Sequence, residues 1–341
     1  MDPVSHALLG ATVAHGCFGK RLGLKAAAWG AAAAVLPDID ILFSIGGDDF
    51  TALERHRGVT HGLAFAPLLG VPWGYLLARR YARGSPDAAA SWQWIGVITL
   101  ALWTHPLLDY LTPYGTQLLQ PFSDARFALP VMPIIDPLYT LLLAVGVLLA
   151  WRWSPAPRAR AASLIAVALS CGYIGYAAHL NRVAQDIAAA QLAAMGIDDA
   201  EVSAYPTILQ VQYRRVVARS KNVDRSGFVN AAAPCQIDWG VAPRVPIETT
   251  RWSDAREVRV FEWFAMGMVH STLESAGELT RIRLADLRYG VDNDPANSIF
   301  AMQAMFDGAR LSSATLLRYR PDAADLDIGE LLNAAYAACV R

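Results

Sequence analysis

The chain reads as an all-α polytopic membrane domain of about six helices, two of them short, followed by a small α+β extracytoplasmic domain. Three observations predict this. Long apolar runs crowd the chain before Asn181 and thin out after it. Charged residues make up only 17% of the 341 residues and hydrophobic ones 54%, against about 25% charged in an ordinary soluble domain. The mean hydropathy of +0.28 is modest for a pure membrane protein. The average therefore covers two unlike parts, 1–181 and 182–341.

Four segments are long and apolar enough to cross a bilayer, which takes roughly 20 residues: Gly62–Ala78, Trp92–Leu111, Met132–Trp151 and Ala161–Leu180. Two shorter helical stretches, Val4–Phe18 and Leu22–Leu36, precede them and are rich in Ala and Gly, which suits close helix packing. A helix at Arg182–Met195 extends beyond the bilayer. Strand-like alternation follows at Thr207–Arg219, Glu257–Phe264, Leu279–Tyr289, Ser298–Phe306 and Thr315–Arg320, and a final helix is expected at Ile328–Val340.

Basic residues set the orientation. Lys20, Arg21 and Lys25, then Arg79, Arg80 and Arg83, then Arg152, Arg158 and Arg160 mark three connections as cytoplasmic. Everything after Asn181 then lies outside. So do His6, Asp38, Asp40, His56, His61, His105, Asp109 and Asp136, each at or near the outer end of its segment. Residues far apart in sequence converge on one face of the membrane.

The net charge of -1 gives no electrostatic case for nucleic acid. No glycine-rich phosphate loop or dinucleotide fingerprint is present. The start, Met1-Asp2-Pro3, lacks the basic region of a signal peptide and is expected to stay as a short helix. Four cysteines are too few for a disulfide scaffold. In an oxidising compartment Cys235 and Cys339 would pair, while Cys17 and Cys171 stay free.

Three clusters carry chemistry. Pro37-Asp38-Ile39-Asp40 closes an apolar helix with two carboxylates, poorly placed at the negative end of a helix dipole but well suited to a cation. The competing reading is a helix end turning into solvent. His56-Arg57-Gly58-Val59-Thr60-His61 offers two imidazoles, which suit zinc, and a guanidinium suited to an anionic oxygen; the bland reading is a loop with incidental histidines. His105-Pro106-Leu107-Leu108-Asp109 places an imidazole and a carboxylate on one helical face, inside an apolar segment where such a pair is costly. A buried helix-locking hydrogen bond is the alternative there. His6, on the opening helix, reaches the same face. Asp136 is read as a helix cap or a partner to a ligand, and His15, His179 and His270 as structural.

Together, Met1-Asp2-Pro3-Val4-Ser5-His6-Ala7, Leu36-Pro37-Asp38-Ile39-Asp40, His56-Arg57-Gly58-Val59-Thr60-His61 and His105-Pro106-Leu107-Leu108-Asp109 resemble the motifs of the YdjM-like membrane-bound metal-dependent hydrolases. The resemblance covers roughly residues 1–180, and more weakly Asp286-Leu287-Arg288-Tyr289-Gly290. A more distant similarity is to zinc-dependent phospholipase C and the P1-type nucleases. On that pattern Asp40 or Asp38, His61, His105 and Asp109 surround one metal, and His6 helps hold a second bridged by Asp109. The free N-terminal amine that ligates metal in those enzymes is not evident, nor is their later histidine/glutamate group.

The resemblance implies a bacterial inner-membrane hydrolase with one or two divalent ions, zinc first and manganese second. The metal ligands would come from His6, Asp38, Asp40, His56, His61, His105 and Asp109. A non-ligating carboxylate, Asp38 or Asp40, would act as general base and Arg57 would stabilise an oxyanion. A phosphoester of a lipid or lipid-linked partner fits a site at the membrane surface, and no nucleic-acid partner is expected. Two other classes compete. A proton- or metal-coupled transporter would spread its acids through the bilayer depth, and a metal-stabilised sensor or scaffold would close its site with four ligands.

Overall fold

The computed structural model describes residues 1–81, 88–246, 250, 252–318 and 329. The chain forms two compact units. The first comprises Met1–Gly46 and Arg55–Tyr176, and the second Gly47–Glu54 and Ala177–Arg341.

The first unit is helical. Helix α1 (Pro3–Leu22) starts at Asp2, whose side chain accepts from the Ser5 amide at 2.9 Å, with Pro3 in the first turn. This is a standard N-cap. Helix α2 (Leu24–Val35) packs tightly on α1. A Cβ at Gly10 would overlap Ala34 Cβ and the Gly30 carbonyl, so only glycine permits this approach. Pro37 then ends the α-helical run, and Leu36–Ser44 continues as a 3-10 helix. Helices α3 (Asp49–Arg55), α4 (Phe65–Tyr81), α5 (Ala88–Tyr110), α6 (Pro137–Trp153) and α7 (Pro157–Ala194) follow in chain order, with Asp49–Glu54 of α3 and the end of α7 belonging to the second unit. The core between α1, α2, α4 and α5 is built from Ala14, Ala33, Ala34, Leu77, Trp94, Ile98 and Leu102.

Eight α-helices occur among the described residues, not six. Seven precede the strands, because the Pro37–Thr60 stretch, read as a loop, holds both the 3-10 helix and α3. The set of membrane-spanning segments also changes. Two helical runs, Leu24–Ser44 and Pro157–Ala194, are long and apolar enough to cross a membrane. A third exists if Asp49–His61 and Phe65–Tyr81, bent by 53°, form one span. Helix α6, at 17 residues, falls short, and Gln93, Thr104, His105 and Asp109 lower the apolarity of α5. The expected four spans therefore become two or three. One of these, Leu24–Ser44, coincides with a stretch read as a short helix.

The second unit takes the C-terminal part of α7 and two antiparallel four-stranded sheets in simple meander order. One is β1 (Glu201–Pro206), β2 (Tyr213–Arg219), β3 (Val223–Asn230) and β4 (Gly240–Pro243). The other is β5 (Val269–Ala276), β6 (Leu279–Asp286), β7 (Phe300–Asp307) and β8 (Arg310–Arg318). The expected strand at Glu257–Phe264 is instead helix α8 (Arg256–Phe264). Its buried Val258, Phe261 and Phe264 recur every three residues, a helical spacing hidden under apparent alternation at Val258 and Val260.

Buried arginines tie this unit together. Arg214 donates to Asn181 Oδ1 at 2.8 Å and the Ala177 carbonyl at 2.7 Å. Arg288 pairs with Asp286 at 2.5 Å and donates to the Phe264 carbonyl. Cys235 is disulfide-bonded, whereas Cys17 and Cys171 are free. The expected partner Cys339 and, apart from Gly329, the expected helix Ile328–Val340 lie outside the described residues.

Candidate metal centre

The histidines and aspartates of the first unit form one cluster. The 3-10 helix separates its two acids. Both acids reach His61, but at different nitrogens: Asp38 faces Nε2 and Asp40 faces Nδ1. Asp38 Oδ1 lies 3.3 Å from His105 Nε2 and 3.7 Å from His61 Nε2. Asp109, one helical turn after His105, places Oδ2 3.6 Å from His105 Nε2 and 3.4 Å from His61 Nε2. The two Nε2 atoms are 3.0 Å apart. A tetrahedral cation with ligands at about 2.0–2.1 Å would set neighbouring donor atoms about 3.3–3.4 Å apart. The five distances bracket that value.

The tautomers decide what the cluster needs. His105 Nδ1 lies 2.6 Å from the Ala34 carbonyl, which can only accept, so Nδ1 carries the proton. His61 Nδ1 faces Asp40 Oδ2 at 3.2 Å and carries its proton for the same reason. Both Nε2 atoms therefore present lone pairs to each other and to two carboxylate oxygens. Asp109 Oδ2 is buried without a hydrogen bond among the described residues. A proton on one nitrogen relieves a single pair, whereas a cation would satisfy Asp38 Oδ1 and both nitrogens together.

A second group, His6, His105 and Asp109, also has metal-ligand spacing. His6 Nε2 is 3.2 Å from Asp109 Oδ1, and its ring stacks on His105 at 3.7 Å. Asp109 thus shows one oxygen to each group. The α-amino group of Met1 also bonds Asp109 Oδ1, so an amine does reach the cluster.

Of the sequence-predicted ligands, Asp40 and His56 belong to neither group. Asp40 is fully buried and orients its neighbours. It accepts from the Arg57 amide at 2.7 Å, meets His61 Nδ1, and pairs with His56 Nδ1 at 2.9 Å. Carboxylates behind metal-ligating histidines fix ring orientation in this way. His56 is held there, away from the Nε2 atoms.

Arg57 sits at φ 59, in the left-handed region that costs a non-glycine residue about 1–3 kcal/mol. Its own amide bond to Asp40 and its carbonyl, which accepts from the Gln117 amide at 3.0 Å, hold it there. The guanidinium is buried. Nε lies 3.0 Å from Asp109 Oδ2 as an ion pair without good hydrogen-bond alignment. Nη1 donates to Thr112 Oγ1 at 2.8 Å and to the Asp109 carbonyl at 3.3 Å. Two of its three nitrogens are thus committed to Asp109 and its neighbourhood. Asp136 caps α6, accepting from the Tyr139 amide and the Tyr173 hydroxyl.

Tyr114 and Thr112 were not legible as site residues. Tyr114 packs under Arg57 at 4.7 Å and Arg126 at 5.1 Å, and meets the His56 ring edge-on. The only signal was their position, in the turn Leu111-Thr112-Pro113-Tyr114-Gly115 directly after the His105/Asp109 pair.

The family model for the YdjM inner membrane protein matches residues 1–181. The chain belongs to the YdjM inner membrane protein family. Every residue of the cluster lies inside the YdjM match, and the two strand sheets lie outside it. The chain is also 34% identical over 135 residues to the inner membrane protein YbcI of Escherichia coli strain K12, a match covering 36% of this chain and 73% of that protein. No solved structure matches the chain.

Proposed function

We propose that this YdjM-family protein is a metal-dependent hydrolase of the inner membrane, acting on a phosphoester of a lipid or lipid-linked substrate. The observation that carries this reading is the convergence of Asp38 Oδ1, His61 Nε2 and His105 Nε2 at metal-ligand spacing, with Asp109 Oδ2 3.4–3.6 Å from both nitrogens. Those residues would hold one divalent cation, zinc first by its nitrogen and oxygen ligands. His6 and Asp109 would contribute to a second. A bound ion of this kind supplies Lewis acidity and an acidified water near neutral pH.

The protein residues do the rest. Asp38 is 32% exposed, whereas His61, His105 and Asp109 are at most 1% exposed, so the group opens on its Asp38 side. Asp38, through the carboxylate oxygen that does not face the two imidazoles, takes the proton from the attacking water. The new bond joins the water oxygen to phosphorus, the ester bond breaks, and the proton passes to the leaving oxygen. Arg57 holds Asp109 in place and offsets its charge. Asp40 and the Ala34 carbonyl keep both imidazoles in the ligating tautomer. The spans, the inner-membrane family and the disulfide-bonded Cys235 together support a periplasmic second unit, with the site at the outer face.

A second reading rests on a specific observation. Three protein ligands in one group, with Asp109 Oδ2 beside both nitrogens, approach the count of a closed structural site, which fits a metal-stabilised scaffold. Elemental mass spectrometry of detergent-purified protein, followed by turnover assays on phospholipids and lipid phosphates, separates the two. Zinc or manganese retained by the wild type and lost in His105→Ala, with turnover lost in parallel, supports the hydrolase. Retained metal without turnover on any of these substrates moves the assignment to the scaffold. Protein that binds no divalent ion after reconstitution undoes both.

A further inference from the structure

We infer that the mouth of this site opens sideways into the bilayer, and that acyl chains of a lipid occupy an apolar rim around it. The 3-10 helix that carries Asp38 and Asp40 turns Ile39, Ile41 and Phe43 outward, and Ile45 follows, with Ile41 66% and Ile45 76% exposed. A second apolar edge comes from the loop after α5. Leu63 donates its amide to the Leu118 carbonyl at 2.9 Å, and the Gln117 amide donates to the Arg57 carbonyl. These bonds seat Leu119 and Phe122 beside the loop that supplies His61. Phe122 is 88% exposed.

Exposed apolar groups of this density mark a binding surface. The membrane is the occupant that the chain itself indicates. Ile39, Ile41 and Phe43 belong to Leu24–Ser44, one of the two runs long and apolar enough to span. The two acids within that run are costly in hydrocarbon unless paired. Both are paired inward, on His61, His105, His56 and the Arg57 amide. The run therefore keeps an apolar outer side past its own carboxylates. A substrate would reach Asp38 laterally, head group to the cluster and chains along Ile41, Phe43 and Phe122. That last step rests on the proposed hydrolase activity; the placement of the rim does not.

Site-directed spin labelling in lipid nanodiscs tests the placement. Cys17 and Cys171 are replaced by serine, and single labels are placed at Phe43 and Phe122. Leu169 on α7, within a run long and apolar enough to span, and Val241 on β4, both exposed, serve as the lipid and water references. Collision with oxygen, which concentrates in lipid, is compared with collision with a water-soluble nickel chelate. Ratios at Phe43 and Phe122 matching Leu169, several-fold above Val241, are expected. Ratios matching Val241 overturn the inference, even for a protein that hydrolyses lipid. Lipid-like ratios without turnover leave the rim in place and remove the hydrolase reading.

Discussion

Each unit of this protein buries a histidine against an aspartate, and the two arrangements have opposite meanings. In the second unit Asp224 is fully buried and surrounded by donors. Arg219 Nε lies at 3.1 Å, Arg244 Nε at 3.8 Å and His270 Nδ1 at 2.8 Å. One anion meets two guanidinium groups, and no further cation is called for. In the first unit Asp109 also has charged partners, Arg57 and the Met1 amine, but Asp38 Oδ1 faces two imidazole nitrogens whose protons already point elsewhere. Those three acceptors have no donor among themselves, an arrangement that could hold a cation. Burial of a His–Asp pair is therefore not by itself a metal signature. The direction of its protons is.

The largest expected effect breaks this comparison directly. His61→Ala and Asp109→Asn should reduce bound zinc or manganese from near-stoichiometric to background, while His270→Ala and Asp224→Asn leave it unchanged. Elemental mass spectrometry on all four variants reads the result. Metal that survives in His61→Ala, or disappears in Asp224→Asn, would show that the donor count does not identify the centre.

Stability should separate the clusters a second way. Removing one partner of a buried pair costs about 3–5 kcal/mol. Asp224→Asn should cost that much whether or not metal is present. For the first unit, metal at about 100 times its Kd should add about 2.7 kcal/mol to the wild type, and a chelator should remove it. Thermal unfolding in detergent with and without chelator checks both. A chelator shift in His105→Ala equal to that of the wild type would place the stabilising metal elsewhere.

Asp40→Asn sharpens the picture inside the first unit. Asp40 touches no other acceptor of the cluster but sets the His61 tautomer, and losing such a carboxylate weakens metal about 10–100-fold. A competition titration against a chromogenic chelator measures it. An unchanged affinity would mean that Thr60, whose hydroxyl lies 3.1 Å from His61 Nδ1, is a sufficient partner.

Much of the first cluster was legible in the sequence because its chemistry is expensive where it sits. His105 and Asp109 in an apolar helix, and Asp38 at the end of another, are groups that a membrane protein retains only with partners. The division of labour was not legible. Asp38 and Asp40 look equivalent in sequence, but Asp38 faces His61 Nε2 and stays partly exposed while Asp40 is buried against His61 Nδ1 and His56. Arg57 is legible as a cation suited to an anionic oxygen; its left-handed backbone and its contacts with Asp109 and Thr112 appear only in three dimensions. In the second unit α8 read as a strand because Val258 and Val260 alternate, and tertiary burial of Phe261 broke the tie. Strands β3 and β5 were missed because their faces carry buried polar groups such as Asp224, Ser226 and His270 in place of a clean apolar alternation, and β1 and β4, at six and four residues, are too short to show one.

The smallest expected effect concerns an exposed counterpart to these buried pairs. Within the second unit Arg256 bridges Asp48 at 2.9 Å and Glu54 at 2.7 Å. The Thr51 hydroxyl and amide, with the Arg256 guanidinium, pull the Asp48 carboxyl down to about 2. A carboxylate lowered on folding contributes stability above its unfolded pKa, near 3.8, and loses it as pH falls toward 2. Both partners are more than one-third exposed, so solvent limits the gain to about 1 kcal/mol or less. Arg256→Ala should therefore lower the unfolding free energy only slightly at pH 7, and less still at pH 2. A loss of several kcal/mol, comparable with Asp224→Asn, would mean that burial is not what separates strong from weak charge pairs in this protein.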